Sequence, residues 1–193
     1  MKKHLLSASA MLLFLFLPVF VFANAISFNS AGKGININIL ESRLGYTKIE
    51  YTFNGYDQKE IIINGKTYIY LTSPDMTSLM EKGSPDLLTY KRSLLIPDNE
   101  GMNYRVLSRD VEELSTLPVM PSKGHFTRDI DPNSVPYTFG NVYTTDKYYP
   151  ENIISLDDPY IVRDFRGMTV QFNPLQYNPV KGKMLVTKRM IVE

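Results

Sequence analysis

The fold of this chain is constrained most by short segments in which apolar and polar residues alternate. Turn residues separate these segments. Residues 35–39 alternate isoleucine with asparagine, and residues 46–53 place Ile49, Tyr51 and Phe53 on one face and charged residues on the other. A period of two is typical of a strand that buries one face. The pattern therefore predicts half-buried strands at both positions and an all-β protein.

Turn residues indicate how these strands are joined. Asn54-Gly55 and Asn64-Gly65 both predict type I′ hairpin turns, because asparagine and glycine tolerate positive φ. Helical periodicity is nearly absent, and only Asp75 to Lys82 could form two helical turns. Short strands with frequent turns are typical of an all-β sandwich or barrel. Further strands are predicted at residues 61–63, 66–70, 89–96, 104–117, 168–172 and 183–192.

The amino terminus has the features of an export signal. Lys2 and Lys3 precede an apolar run at residues 11–22, and Ala23 and Ala25 form a small-x-small cleavage site. The run is too short for a stable membrane anchor, which needs about 20 residues. The sequence predicts a signal peptide at residues 1–25 and a mature domain at residues 26–193. The mature domain is expected in the periplasm, on the cell surface or outside the cell.

Composition excludes several functions. The chain has no cysteine, so it can form no disulfide and no cysteine nucleophile. His125 is the single histidine outside the predicted signal, so a multi-histidine metal site is excluded. The 21 basic residues, two of them in the predicted signal, nearly balance the 20 acidic residues, which gives no case for nucleic acid binding. Neither a metal nor a cofactor is predicted.

Residues 118–136 are the longest segment without a clear strand. They contain four prolines, at positions 118, 121, 132 and 136. Proline restricts φ and removes a backbone donor, so such a segment is typical of a stiff connection. We expect it to run over the surface of the domain.

A series of motifs gives the chain a family resemblance. The order and spacing of these motifs resemble the amino-terminal propeptide of gingipain-type cysteine proteases, most strongly over residues 83–192. No single motif is specific, but their order over about 100 residues is. The motifs are Gly83 with Pro85 and Leu87, Pro121–Gly124, Arg128, Asp131-Pro132, Pro136-Tyr137, Tyr149-Pro150, Leu156–Pro159, Arg163-Asp164, Arg166-Gly167 and Gln176–Val180.

The resemblance implies an antiparallel β-sandwich, jelly-roll-like in form, that is not itself an enzyme. It implies a domain that inhibits, and assists the folding of, an Arg- or Lys-specific cysteine protease catalytic domain. Because the family continues beyond the position of Glu193 into that domain, the chain is expected to act in cis as part of a precursor or in trans as a separate inhibitor.

The resemblance also implies which residues bind the protease. In the family's proteases, a basic side chain of the propeptide enters the S1 pocket. The matching position in this chain is Arg128, and its neighbours His125, Phe126, Thr127 and Asp129 are expected to contact the protease with it. Lys123 lies in the same loop and is the rival. Two alternatives stay open. The first is a surface Arg128 paired with Asp129 or Asp131, and the second is an ordinary surface histidine at position 125.

A second class of function also fits the composition. The chain has 13 tyrosines and ten phenylalanines, several of them within residues 143–149. Exposed aromatic rings can stack on sugars or pack against a protein partner. The alternative hypothesis is therefore an exported, aromatic-rich binding module for carbohydrate or protein.

Overall fold

A computed structural model of the chain describes residues 24–98 and 100–193. Strands dominate the described residues, and the helical segments among them are two short 3-10 helices at Pro132–Ser134 and Asn141–Thr144. The strands are β1 Asn24–Ser27, β2 Gly34–Arg43, β3 Tyr46–Ile63, β4 Lys66–Thr72, β5 Thr77–Ser78, β6 Leu88–Leu95, β7 Val106–Ser115, β8 Ile154–Leu156, β9 Tyr160–Val162, β10 Phe165–Phe172, β11 Leu175–Asn178 and β12 Lys183–Val192.

The strands form two antiparallel sheets. In the larger sheet, β3 pairs with β1, β2, β4 and β12, and β12 also pairs with β7 and β11. In the smaller sheet, β10 is central and pairs with β6, β8 and β9, while β5 pairs with β6. Strands predicted at residues 89–96, 104–117, 168–172 and 183–192 correspond to β6, β7, β10 and β12 and are confirmed.

Buried side chains from both sheets meet in the core. Tyr51 of β3 and Phe172 of β10 lie with their ring centroids 4.9 Å apart. Met190 of β12 and Ile154 of β8 belong to the same buried cluster. Two sheets that share an apolar core make a β-sandwich, so the predicted all-β sandwich is confirmed.

The second Asn-Gly pair forms the predicted hairpin. Ile63 at the end of β3 is in register with Lys66 at the start of β4. Asn64 and Gly65 between them have φ of 50° and 77°. Two central residues with positive φ are what a type I′ turn requires.

The first Asn-Gly pair forms no hairpin, so that prediction is wrong. β3 runs without interruption from Tyr46 to Ile63. A side chain on Gly55 would overlap the carbonyl oxygen of Ile26, because β1 passes directly against this position. Asn54 is buried and its side-chain oxygen accepts a hydrogen bond from Asn29 at 2.6 Å. The glycine permits close approach of a neighbouring strand instead of a chain reversal.

Two further expectations need correction. β2 is a strand as predicted, but only Ile35 packs against the core, whereas Ile37 and Ile39 are 37% and 60% exposed because the strand continues past the core. The predicted helical turns at residues 75–82 are absent. Asp75 and Met80 have φ of 60° and 56°, which a right-handed helix excludes, and Thr77–Ser78 pair with β6 instead.

The predicted signal peptide falls almost wholly outside the described residues, since residues 1–23, including Ala23, are not among them. Asn24 and Ala25 lie in β1 and pair with Gln58 and Asp57. Cleavage after Ala25 therefore stays a prediction. Across residues 24–98 and 100–193, the structure contains no helix with the length and apolar character needed to cross a membrane.

Candidate functional site

The loop predicted to contact a protease begins in the core and not on the surface. Val119 is fully buried, and backbone hydrogen bonds fix the residues on either side of it. The amide of Ile69 donates to the carbonyl of Pro118 at 2.8 Å, and the amide of Met120 donates to the carbonyl of Ile69 at 3.0 Å. The expectation that residues 118–136 all run over the surface is wrong for this first part, which packs beside β4.

Gly83 closes the base of the loop from both sides. Its amide donates to the carbonyl of Ser122 at 2.9 Å, and its own carbonyl accepts from the amide of Gly140 at 2.8 Å. Residues 123–139 therefore leave the core and return to it at one residue. Gly83 has φ of 81°, and a Cβ atom there would lie a tight 3.2 Å from the backbone nitrogen of Gly140, so both conformation and space favour glycine.

A buried carboxyl group lies beneath the same base. The amide of Asp86 donates to the carbonyl of Met120 at 2.9 Å. The Oδ1 atom of Asp86 is buried without a hydrogen-bond partner. Burial raises the pKa of Asp86, and the hydroxyl groups of Ser78 and Ser122 act in the opposite direction.

Arg128 lies at the exposed part of the loop. The amide of Ile130 donates to the carbonyl of Thr127 at 3.2 Å, which makes a turn around Arg128 and Asp129. His125, Thr127, Arg128 and Asp129 are exposed, and Phe126 is half-buried. The sequence prediction of an accessible basic side chain in this segment agrees with this geometry.

The two nearby carboxylates are engaged with other groups. Asp131 caps the 3-10 helix at Pro132–Ser134, where its Oδ1 accepts from the amide of Asn133 at 2.9 Å. Hydrogen bonds from the Thr127 hydroxyl and from its own backbone lower the pKa of Asp129. Among the described residues, neither carboxylate forms an ion pair with Arg128. The structure thus does not support the alternative of a surface ion pair at Arg128.

Lys123 differs from Arg128 in its surroundings. Its Nζ donates to the carbonyl of Pro132 at 2.8 Å and lies 4.3 Å from the ring centroid of Tyr137. A cation held over an aromatic face is attracted by the ring. The ammonium group of Lys123 is therefore directed into the loop.

No chemistry beyond binding is indicated by the neighbouring titratable groups. Within the described part of the chain, no group of three or more histidine, aspartate or glutamate side chains is arranged to hold a metal ion. His125 is exposed and has no described hydrogen bond to a nucleophile. The arrangement can present a cation on a fixed loop.

The tyrosines of residues 143–149 are half-buried, and each donates a hydrogen bond to another part of the domain. The Tyr143 hydroxyl donates to the carbonyl of Val119 at 2.8 Å, and its ring lies 4.9 Å from that of Phe139. The Tyr149 hydroxyl donates to Glu81 at 2.6 Å. Burial raises the pKa of both tyrosines. Tyr143 and Tyr149 therefore contact residues beside the base of the loop, and their rings are only partly exposed for stacking on a sugar.

Sequence reasoning found the loop but missed its support. The sequence marks Gly83 only as one member of a family motif, and no sequence pattern distinguishes Asp86 or Gly140. A Gly-x-Pro-x-Leu element before a strand does not indicate that its glycine will hydrogen-bond to one carbonyl and one amide group from distant parts of the chain. The pairing of Gly83 with Ser122 and Gly140 depends on tertiary structure.

Comparison with known proteins gives the class of this domain. The family model described as Propeptide_C25 matches residues 29–193. The chain is therefore a propeptide domain of the cysteine peptidase type and not a catalytic domain. It belongs to the Propeptide_C25 family, as the motif series indicated.

The relatives are gingipains of Porphyromonas gingivalis. Gingipain R1 is 37% identical over 162 residues, which cover 83% of this chain and 16% of the relative. Gingipain R2 is 30% identical over 161 residues, which cover 83% of this chain and 22% of the relative. The chain thus spans less than a quarter of the length of these curated relatives.

Solved structures have the same fold. A complex of the RgpB pro- and mature domains of Porphyromonas gingivalis matches with a TM-score of 0.76 and 30% identity, covering 81% of this chain and 82% of that chain. A structure addressing the zymogenic latency of gingipain K from the same organism matches with a TM-score of 0.71 and 18% identity, covering 89% and 97%.

Proposed function

We propose that this chain inhibits, and assists the folding of, a gingipain-like cysteine endopeptidase by inserting Arg128 into its S1 pocket. The observation that carries the proposal is an exposed arginine on a loop whose two ends are fixed by Gly83. The 30% identical structural relative is a complex of pro- and mature domains, which supports a catalytic domain as the partner.

The chemistry of arginine fits this role. A pocket that selects arginine needs a carboxylate at its base, and a guanidinium group can pair with it through two parallel hydrogen bonds. A buried arginine of this kind can contribute about 2 kcal/mol or more to an interface. Because Lys123 is engaged with Pro132 and Tyr137, Arg128 is the better candidate of the two.

A fixed loop also fits inhibition. Binding a flexible segment costs conformational entropy, and a segment that already holds its bound shape avoids much of that cost. The contacts at Gly83 and the prolines of residues 118–136 restrict the loop before it meets a protease. The domain would act in cis where it precedes a catalytic domain, and in trans as a separate chain, after export by its amino-terminal signal.

The proposal is tested by titrating the purified chain into active gingipain R1 of Porphyromonas gingivalis. We expect activity to fall to zero near one equivalent, with papain as a cysteine protease that should be unaffected. Full gingipain activity in the presence of a large excess of the chain would contradict the proposal. Binding to a glycan array under those conditions would favour the aromatic binding module instead.

A further inference from the structure

Lys123 connects two parts of the loop that are distant in sequence. Its Nζ donates to the carbonyl of Pro132 at 2.8 Å, nine positions along the chain. The same ammonium group lies over the ring of half-buried Tyr137, 4.3 Å from the centroid. The Lys123 side chain thus joins the segment that leaves the core with the segment that returns to it.

Arg128 lies inside the ring of residues that this contact closes. On one side, Gly124 with φ of 84° turns the chain beside Lys82, and its amide donates to the Ser122 hydroxyl oxygen at 3.2 Å. On the other side, Asp131 caps the short helix that contains Pro132. The turn from Thr127 to Ile130 lies between them. Closing a short loop removes alternative conformations of everything within it.

We propose that Lys123 is a positioning residue that braces residues 124–131 and thereby slows both release and cleavage of the loop. The part that concerns inhibition rests on the proposed insertion of Arg128 into a protease. Cleavage after Arg128 adds water across the peptide bond: the hydroxyl joins the carbonyl carbon of Arg128, and the proton goes to the amine of Asp129. The brace holds these two ends together, so the bound loop resists the rearrangement that cleavage requires, and its two cut ends separate slowly.

The inference has a test that does not depend on any gingipain. The purified chain is exposed to an arginine-specific endoprotease of an unrelated family, and cleavage of the Arg128–Asp129 bond is followed by mass spectrometry. Lys123→Met keeps the length of the side chain but removes its charge. We expect about tenfold faster cleavage at that bond, because a charged hydrogen bond and a cation–π contact are lost.

Matched variants give the controls. Lys59→Met removes an exposed lysine from β3 and should leave the cleavage rate unchanged. Tyr137→Leu removes the ring but keeps an apolar side chain, and should raise the rate less than Lys123→Met does. The urea midpoint of Lys123→Met should match that of the unmodified chain, because the hydrogen bond and the cation–π contact of Lys123 are both made with loop residues. Equal cleavage rates for Lys123→Met and the unmodified chain would overturn the proposal that Lys123 braces residues 124–131.

A double-mutant cycle separates positioning from direct recognition. If Lys123 acts through Arg128, Lys123→Met weakens inhibition of gingipain R1 by about tenfold when Arg128 is present and has no further effect in the Arg128→Ala background. Equal losses in both backgrounds would show that Lys123 contacts the protease itself and would overturn the proposal. If the unmodified chain does not inhibit at all, the proposed function fails, while the cleavage assay on the free chain still decides whether the brace exists.

Discussion

At the scale of single residues, the site depends on positions whose backbone or burial is unusual. Gly83 combines positive φ with close contact to Gly140, and Asp86 places a carboxyl group where one oxygen has no partner. Both residues are buried. Both determine how firmly the base of the loop is held, so their substitution should affect stability first.

Replacing Gly83 by alanine should destabilise the domain by more than about 1 kcal/mol, because alanine is strained at positive φ and its Cβ would crowd Gly140. Gly32→Ala is the matched control: its φ is 93°, but nothing lies within 4 Å of the added atom. Urea unfolding should show a larger loss for Gly83→Ala than for Gly32→Ala. Equal losses would mean that the contact with Gly140 contributes nothing.

Asp86 should make stability depend on pH in a defined direction. Because burial raises its pKa in the folded chain, the folded state binds the proton more tightly than the unfolded state. This group therefore favours folding less as the pH rises from the ordinary value of 3.8 through the raised pKa. The stability of Asp86→Asn relative to the unmodified chain should increase between pH 3.5 and pH 7.5 in urea titrations. A pH-independent difference would contradict this account.

At the scale of elements, the sequence predicted strands well where alternation coincided with burial. Ile49, Tyr51 and Phe53 of β3 are buried as the period of two indicated. The same period in β2 predicted burial that Ile35 partly has and that Ile37 and Ile39 lack, because alternation cannot tell how far a second layer covers the strand. Asn54-Gly55 was assigned to a turn because the dipeptide alone does not distinguish a chain reversal from close strand packing.

Gly55→Ala should detach β1 from β3, since the added carbon would overlap the carbonyl of Ile26. The amide of Phe28 donates to the carbonyl of Asn54 at 2.8 Å and reports this contact. Its hydrogen exchange should become at least about tenfold faster, while amides of β4 keep their rates. Gly65→Ala, where nothing lies within 4 Å, should leave Phe28 unchanged. Unaltered exchange at Phe28 in Gly55→Ala would show that β1 accommodates the side chain.

At the scale of the whole molecule, two sheets act as one support for the loop. Tyr51 and Phe172 join them in the core, while Ile69 and Val119 join β4 to the start of the loop. The family motifs in the sequence were sufficient to predict the sandwich, while the role of Arg128 stays a prediction. They could not predict that Gly83 would hydrogen-bond to Ser122 and Gly140 at the two ends of the loop, because these three residues lie in segments that are distant in the chain.

Phe172→Ala should destabilise the whole domain by about 3–5 kcal/mol, because the ring is fully buried between the sheets. Fluorescence and far-UV circular dichroism should give coincident urea transitions, as expected when both sheets unfold together. Phe165→Ala, at a ring that is 62% exposed, should change stability by at most about 0.5 kcal/mol. Separate transitions for the two probes would mean that the sheets are independent.

The central claim is that Arg128 is the residue by which this domain blocks a protease. The most direct test compares the inhibition constants of the unmodified chain and Arg128→Ala against gingipain R1, with Arg163→Ala as the control at an arginine in the turn between β9 and β10. We expect Arg128→Ala to weaken inhibition at least about tenfold, equivalent to about 1.4 kcal/mol, and Arg163→Ala to leave it unchanged. Equal inhibition constants for Arg128→Ala and the unmodified chain would contradict the claim.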